Sequence, residues 1–64
     1  MKQIDLIKHI RKHGCVFARE GGSHSVWYNP ITGRTSTVPR HNEINNHIGE
    51  KICKDLGVLA IKKR

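Results

Sequence analysis

Residues 15–39 read CVFAREGGSHSVWYNPITGRTSTVP, and this stretch decides the fold. Three short runs in it carry the β-branched and aromatic residues that suit a pleated surface: Cys15–Arg19, Ser25–Tyr28 and Arg34–Val38. Gly21-Gly22 separates the first from the second and permits a tight reversal. Asn29-Pro30-Ile31-Thr32-Gly33 divides the second from the third, with Pro30 fixing φ and Gly33 available for a positive φ. Pro39 has no N–H to give a ladder and stops the third run. Links this short join strands antiparallel, so the spacing predicts a three-stranded meander.

Either side of the meander the hydrophobic period changes to that of a helix. Ile4, Leu6, Ile7 and Ile10 fall on one arc of a helix over 2–13, with Asp5, Lys8, His9 and Lys12 opposite. Gly14 ends it, and Arg11, Lys12 and His13 occupy the last turn, where cations favour the helix dipole. After a polar, irregular 40–46, a second helix is expected from His47 to Leu56. Asn45 or Asn46 caps it, Gly57 stops it, and Ile48, Ile52, Cys53 and Leu56 form its apolar stripe. Gly49 inside this helix costs about 1 kcal/mol against Ala, which leaves packing to hold it. Residues 58–64 form a basic C-terminal tail that Val58, Leu59 and Ile61 could anchor in part. The fold class is therefore α+β, in the order α-β-β-β-α. A single domain spans 1–64, with both helices on one face of the sheet and the other face open to water. Ile4, Ile7, Ile10, Ile52, Leu56 and Phe17 are assigned to packing.

The chain has 64 residues, enough for one small domain that buries only about 60% of its unfolded surface. No apolar run approaches the roughly 18 residues a membrane helix needs. The start, Met1-Lys2-Gln3-Ile4-Asp5, lacks the apolar stretch of a secretory signal, so a cytoplasmic protein is expected. Twelve Lys and Arg against five Asp and Glu leave a net charge of +7, which points to a polyanionic partner: nucleic acid, an acidic protein, or both in turn. Cys15 and Cys53 stand far apart inside apolar patterns and read as reduced core thiols. Paired ligands such as C-x-x-C are absent, so no zinc site is assigned.

His24 is the leading candidate for chemistry. It follows Gly21-Gly22-Ser23, where a phosphate can approach both backbone amides and imidazole, and its charge can change near neutral pH. Arg40 and His41 follow the third strand and either hold phosphate, supply an acid, or are a solvated pair. Lys8 and Lys12, four apart, are neighbours on the exposed face of the first helix, where they contact RNA or solvent; Arg34 at the hairpin base is alike. Trp27 and Tyr28 point to opposite faces of their strand, so one is core and the other free to stack on a base. His9, His13 and His47 are expected to be solvated.

One succession runs through these elements: Gly14, Phe17-Ala18-Arg19, Gly22-Ser23-His24, Asn29-Pro30, Gly33-Arg34, Thr37-Val38-Pro39-Arg40-His41, Ile52 and Leu56-Gly57. It resembles the HicA family of toxins over roughly residues 3–58. The Gly-Ser-His triplet and the Val-Pro-Arg-His run are its most specific pieces. The resemblance implies a fold similar to double-stranded-RNA-binding domains and an RNA-cleaving toxin acting on messenger RNA, neutralised by a HicB-like antitoxin. It also implies that His24 is the catalytic residue. Relatives often carry a second polar residue or His straight after that position, where this chain has Ser25. RNA brings its own nucleophile, the 2′-hydroxyl. The protein need only remove that proton, steady the phosphorane and protonate the leaving 5′-oxygen, leaving a 2′,3′-cyclic phosphate. His24 serves as base, or as base and acid in turn, and the Gly22 and Ser23 amides cradle the phosphate. No carboxylate cluster suited to magnesium is visible in the sequence, so a metal-independent reaction without cofactor is expected. The alternative is a non-catalytic RNA-binding module of the same fold, gripping phosphates without chemistry.

Overall fold

The computed structural model describes residues 1–61. Lys62, Lys63 and Arg64, the basic end of the expected tail, lie outside the described residues. Helix α1 (Gln3–Lys12), strands β1 (Val16–Gly21), β2 (His24–Asn29) and β3 (Arg34–Pro39), and helix α2 (Asn46–Leu56) follow in the expected α+β order. The three strands form one antiparallel sheet in the order β1-β2-β3. Each strand is longer than its apolar run suggests. β1 reaches Gly21 and β2 begins at His24, which leaves only Gly22-Ser23 as the hairpin loop. Gly22 has φ +63, and it occupies the first loop position, the one a type II′ turn reserves for glycine.

The pairing of β1 with β2 shifts between Phe17 and Arg19, so Ala18 is the extra residue of a bulge. Trp27 lies inward, 3% exposed, and Tyr28 outward. The Trp27 indole donates to Ser25 Oγ at 3.0 Å, and the Arg11 guanidinium covers its ring at 5.2 Å from the centroid. Leu6 and Ile10 of α1, Trp27 and Val38 of the sheet, and Ile52, Cys53 and Leu56 of α2 build one core with Met1, Cys15 and Ile44.

Several packing assignments made from periodicity fail. Ile4 is 59% exposed, Ile48 45% and Phe17 46%. An apolar arc on a short helix is wider than the strip that meets the sheet, and Ile4 and Ile48 lie outside that strip, each in the first turns of its helix. Phe17 lies on edge strand β1. Its ring meets Trp27 edge-on at 5.9 Å, and its outer side faces solvent. Conversely, 40–46 is not wholly polar surface. Ile44 is buried, its N–H donates to the Met1 carbonyl at 2.7 Å, and Lys2 bridges Glu43. Gly49 is explained by this contact: a Cβ there would stand 2.5 Å from Met1 Cε.

The termini of α2 follow the expected chemistry. Asn45 Oδ1 accepts from His47 N at 2.7 Å, a cap worth about 1 kcal/mol. Gly57 takes the left-handed conformation at φ +73, and the next amide, Val58 N, returns to Cys53 O. Asn29, the buried polar side chain at the end of β2, fastens this helix end to the sheet. Its Nδ2 donates to Leu56 O at 2.8 Å and its Oδ1 accepts from Ile31 N at 3.0 Å. Thr32 Oγ1 donates to the same Leu56 carbonyl. Cys15 and Cys53 are free and buried. Burial pushes both thiols up. Cys15 is raised further by its proximity to Cys53; an Ile61 backbone hydrogen bond opposes the rise at Cys53, and Glu50 adds to it. Among the described residues, no helix is long and apolar enough to cross a membrane.

Candidate active site

His24 is not in an open loop. It is the first residue of β2, paired with Gly21 on one side and Pro39 on the other, so neighbours on both sides fix its backbone. Its imidazole remains exposed. Ser23 Oγ lies 3.2 Å from its Nδ1. If Nδ1 carries the proton and donates to Ser23, Nε2 is the free base. In that tautomer the Nδ1–H···Oγ bond persists when Nε2 takes up a proton, so the contact fits an Nε2 that exchanges protons. Gly22 and Ser23 are exposed beside it, and the Ser23 carbonyl accepts from Arg40 N at 3.3 Å. That bond ties the chain leaving β3 to the hairpin loop.

Beside His24 is a shallow cleft of about 200 Å³, between this end of the sheet and α2. His24, Thr37, Pro39 and Ser36 form its sheet side, and Ile48, Lys51, Ile52 and Asp55 its helix side. Lys51 Nζ pairs with Asp55 Oδ2 at 3.2 Å, and the same oxygen accepts from Ser36 Oγ at 3.4 Å. Sequence alone gives little reason to single out Lys51, Asp55 or Ser36. The available signal is the Lys–Asp spacing of four, which puts both on one helical face.

The remaining candidates divide between two ends of the sheet. Arg40 is at the His24 end, its guanidinium paired with Glu20 across the surface. His41 follows it and is exposed. Arg34 pairs with Asn29, five register steps from the His24–Pro39 pair, or roughly 16 Å. Its Nη1 donates to Lys54 O near the end of α2 at 3.4 Å. Lys8 and Lys12 are exposed on α1. The start of α1 is at the His24 end, since Gln3 Nε2 donates to Pro39 O at 2.8 Å. Lys12 therefore lies about 14 Å further along that axis. Of the Trp27–Tyr28 pair, Tyr28 is the exposed one, four residues along β2 from His24. Ser25 turns inward to serve Trp27 and offers nothing to the imidazole.

Two further histidines differ from expectation. His9 and His13 are part-buried with ring centroids 4.6 Å apart, and His9 Nε2 bonds Leu59 O at 2.7 Å. The His9 bond ties down the segment after α2, where Val58 and Ile61 pack against the core while Leu59 stays exposed. His47 is solvated as expected.

A family model described as the HicA toxin of bacterial toxin–antitoxin matches residues 5–58. The matched stretch takes in the whole sheet, all of α2 and every residue lining the His24 cleft. No curated protein and no solved structure matches the chain.

Proposed function

The chain belongs to the HicA toxin family of bacterial toxin–antitoxin systems, and on that premise we propose that it is an endoribonuclease that cleaves messenger RNA at His24. The observation that supports this most is the exposed imidazole, fixed by strand pairing on both sides, hydrogen-bonded to Ser23, and open to a cleft that contains a cation. In the reaction His24 Nε2 takes the proton of a ribose 2′-hydroxyl. The 2′-oxygen bonds to the adjacent phosphorus, the bond from phosphorus to the 5′-oxygen breaks, and that oxygen leaves with a proton. The products are a 2′,3′-cyclic phosphate and a 5′-hydroxyl. His24 can return the proton itself, and exposed His41, one residue beyond Arg40, is a second donor. The Gly22 and Ser23 amides hold phosphate oxygens at the hairpin tip. A positioned base is worth about 10²–10⁴-fold, and fixed donors on the phosphorane add to it. The chemistry asks for no metal, because the nucleophile belongs to the substrate.

Family membership implies a cognate antitoxin. We assign a HicB-like protein that covers the positive surface and blocks RNA in the cytoplasm, where messenger RNA is the substrate. The net charge of +7 supports an acidic contact face on that partner.

The test is His24→Ala, with RNA binding and RNA cleavage measured side by side. The expected result is a cleavage rate at least about 10²-fold lower with binding retained. A variant that cleaves as fast as the parent overturns the assignment. A parent that binds RNA without cutting it makes the protein an RNA-binding module of this fold.

A further inference from the structure

The cation in the cleft belongs to neither the hairpin nor the strand end. We propose that Lys51 binds the phosphate of the nucleotide seated at His24, and that Asp55 positions its ammonium there; this rests on the nuclease function assigned to His24. Three features of the structure carry it.

Lys51 and His24 line one cleft from opposite sides, the lysine on α2 and the histidine on β2. The cleft, about 200 Å³, is smaller than a drug-sized pocket and accepts a fragment such as a phosphate with its ribose. Lys51 is the lysine among its lining residues, while the two arginines at the ends of β3 are engaged elsewhere. Arg40 pairs with Glu20, and Arg34 reaches the Lys54 carbonyl at the far end of β3.

The ammonium is also restrained. Asp55 Oδ2 accepts from Lys51 Nζ at 3.2 Å, and Ser36 Oγ on β3 donates to the same oxygen. An ammonium has three donors, so one spent on Asp55 leaves two for phosphate oxygens. The lysine precedes the acid by four residues, the weaker orientation for supporting a helix. Helix stability therefore gives little reason for this pair, whereas aiming a flexible cation into the cleft does.

Ile48 completes the seat. It belongs to the apolar stripe of α2 but remains 45% exposed, because it lines the cleft instead of the core. A wall with an apolar side chain next to a cation suits a nucleotide, whose sugar and base are apolar on their faces and whose phosphate is charged.

The experiment compares Lys51→Met and Lys51→Arg with the parent and with His24→Ala in the full chain. Cleavage of an RNA oligonucleotide gives kcat and KM. Binding of the same oligonucleotide with a 2′-deoxy residue at the cleavage position is followed against salt. Lys51→Met is expected to lower kcat/KM by about 10- to 10²-fold. It should also flatten the slope of log affinity against log salt by about 0.7, with an unchanged thermal midpoint. Lys51→Arg should recover most of both losses. If Lys51→Met cleaves within twofold of the parent and keeps its salt slope while His24→Ala is dead, the nuclease stands and the Lys51 assignment falls. If His24→Ala cleaves like the parent, the nuclease site itself is wrong, and the salt slope of Lys51→Met still decides whether Lys51 meets phosphate. Loss of antitoxin affinity in Lys51→Met with RNA behaviour intact would make Lys51 a protein contact and overturn the proposal.

Discussion

Removing the Asn29 amide should unfasten α2 from the sheet. The side chain is 2% exposed and makes two bonds, Nδ2 to Leu56 O at 2.8 Å and Oδ1 from Ile31 N at 3.0 Å. In Asn29→Ala the Leu56 carbonyl keeps Thr32 Oγ1 at 3.0 Å, so it is not orphaned. The Ile31 amide loses its acceptor in a partly buried place, and a small void replaces the side chain. Two neutral hydrogen bonds at about 1 kcal/mol each, plus part of the penalty for the unpaired amide, give about 2–3 kcal/mol. A domain of this size holds only about 3–10 kcal/mol in total. At 4–8 °C per kcal/mol, the thermal midpoint should fall by about 10–20 °C, read by circular dichroism with urea melts for the free energy. Asn29→Asp adds a check on the mechanism. It keeps the shape but turns an oxygen toward the Leu56 carbonyl. Burial raises the pKa of such a carboxyl in the fold, so the variant is most penalised above the ordinary carboxylate range and recovers as acid restores a donor. A midpoint within 3 °C of the parent for Asn29→Ala would refute the reasoning, as would an Asn29→Asp midpoint whose gap from the parent ignores pH.

Two other outcomes follow from the chemistry. Cleavage should proceed within twofold of its normal rate in EDTA and leave 2′,3′-cyclic phosphate ends; a strict magnesium requirement would remove His24 from the central role. The raised pKa values of Cys15 and Cys53 keep both thiols protonated at neutral pH, so iodoacetamide should label the native protein far more slowly than the urea-unfolded chain. Since the folded pKa values exceed the unfolded ones, the thiols' contribution to stability is complete below the ordinary thiol range and declines as pH rises through it. A stability that climbs over that alkaline interval would contradict the burial of these side chains.

The order of elements was legible because strong local signals mark every junction. Gly14 and Gly57 follow the helices, Gly22 and the Asn29–Gly33 turn separate the strands, and Asn45 caps α2. The facing of individual side chains was less legible, since it depends on what lies opposite. Strand period alone made Trp27 and Tyr28 alternatives, and pairing across the Ala18 bulge put Trp27 inside under Arg11. Ile4, Ile48 and Phe17 fit an apolar pattern and are nonetheless exposed, because a small domain has more apolar side chains at its helix and sheet edges than its core can take in. Ile44 went the other way. A lone apolar residue in a polar stretch gives no periodic signal, yet it is buried with its N–H on the Met1 carbonyl, while the Met1 side chain takes the space that Gly49 leaves free.

The same distinction governs the candidate site. His24 and its Gly22-Ser23 neighbours are contiguous in sequence, so a linear motif is enough to single them out. Lys51 is 27 positions away and meets His24 only because α2 packs beside β3. A net charge of +7 predicts an anionic partner but cannot say which cations face it. In the fold Arg34 is bound to a helix-end carbonyl, Arg40 to Glu20, and Lys8 and Lys12 lie on α1. Charge alone would draw RNA to any of these surfaces. Under the proposed function, cleavage needs one phosphate held against one base, and the small cleft that Lys51 shares with the imidazole would meet that demand. The Asn29 anchor at the far end of α2 bears on the same proposal: by tying the helix to the sheet, it would help to set the spacing between Lys51 and His24.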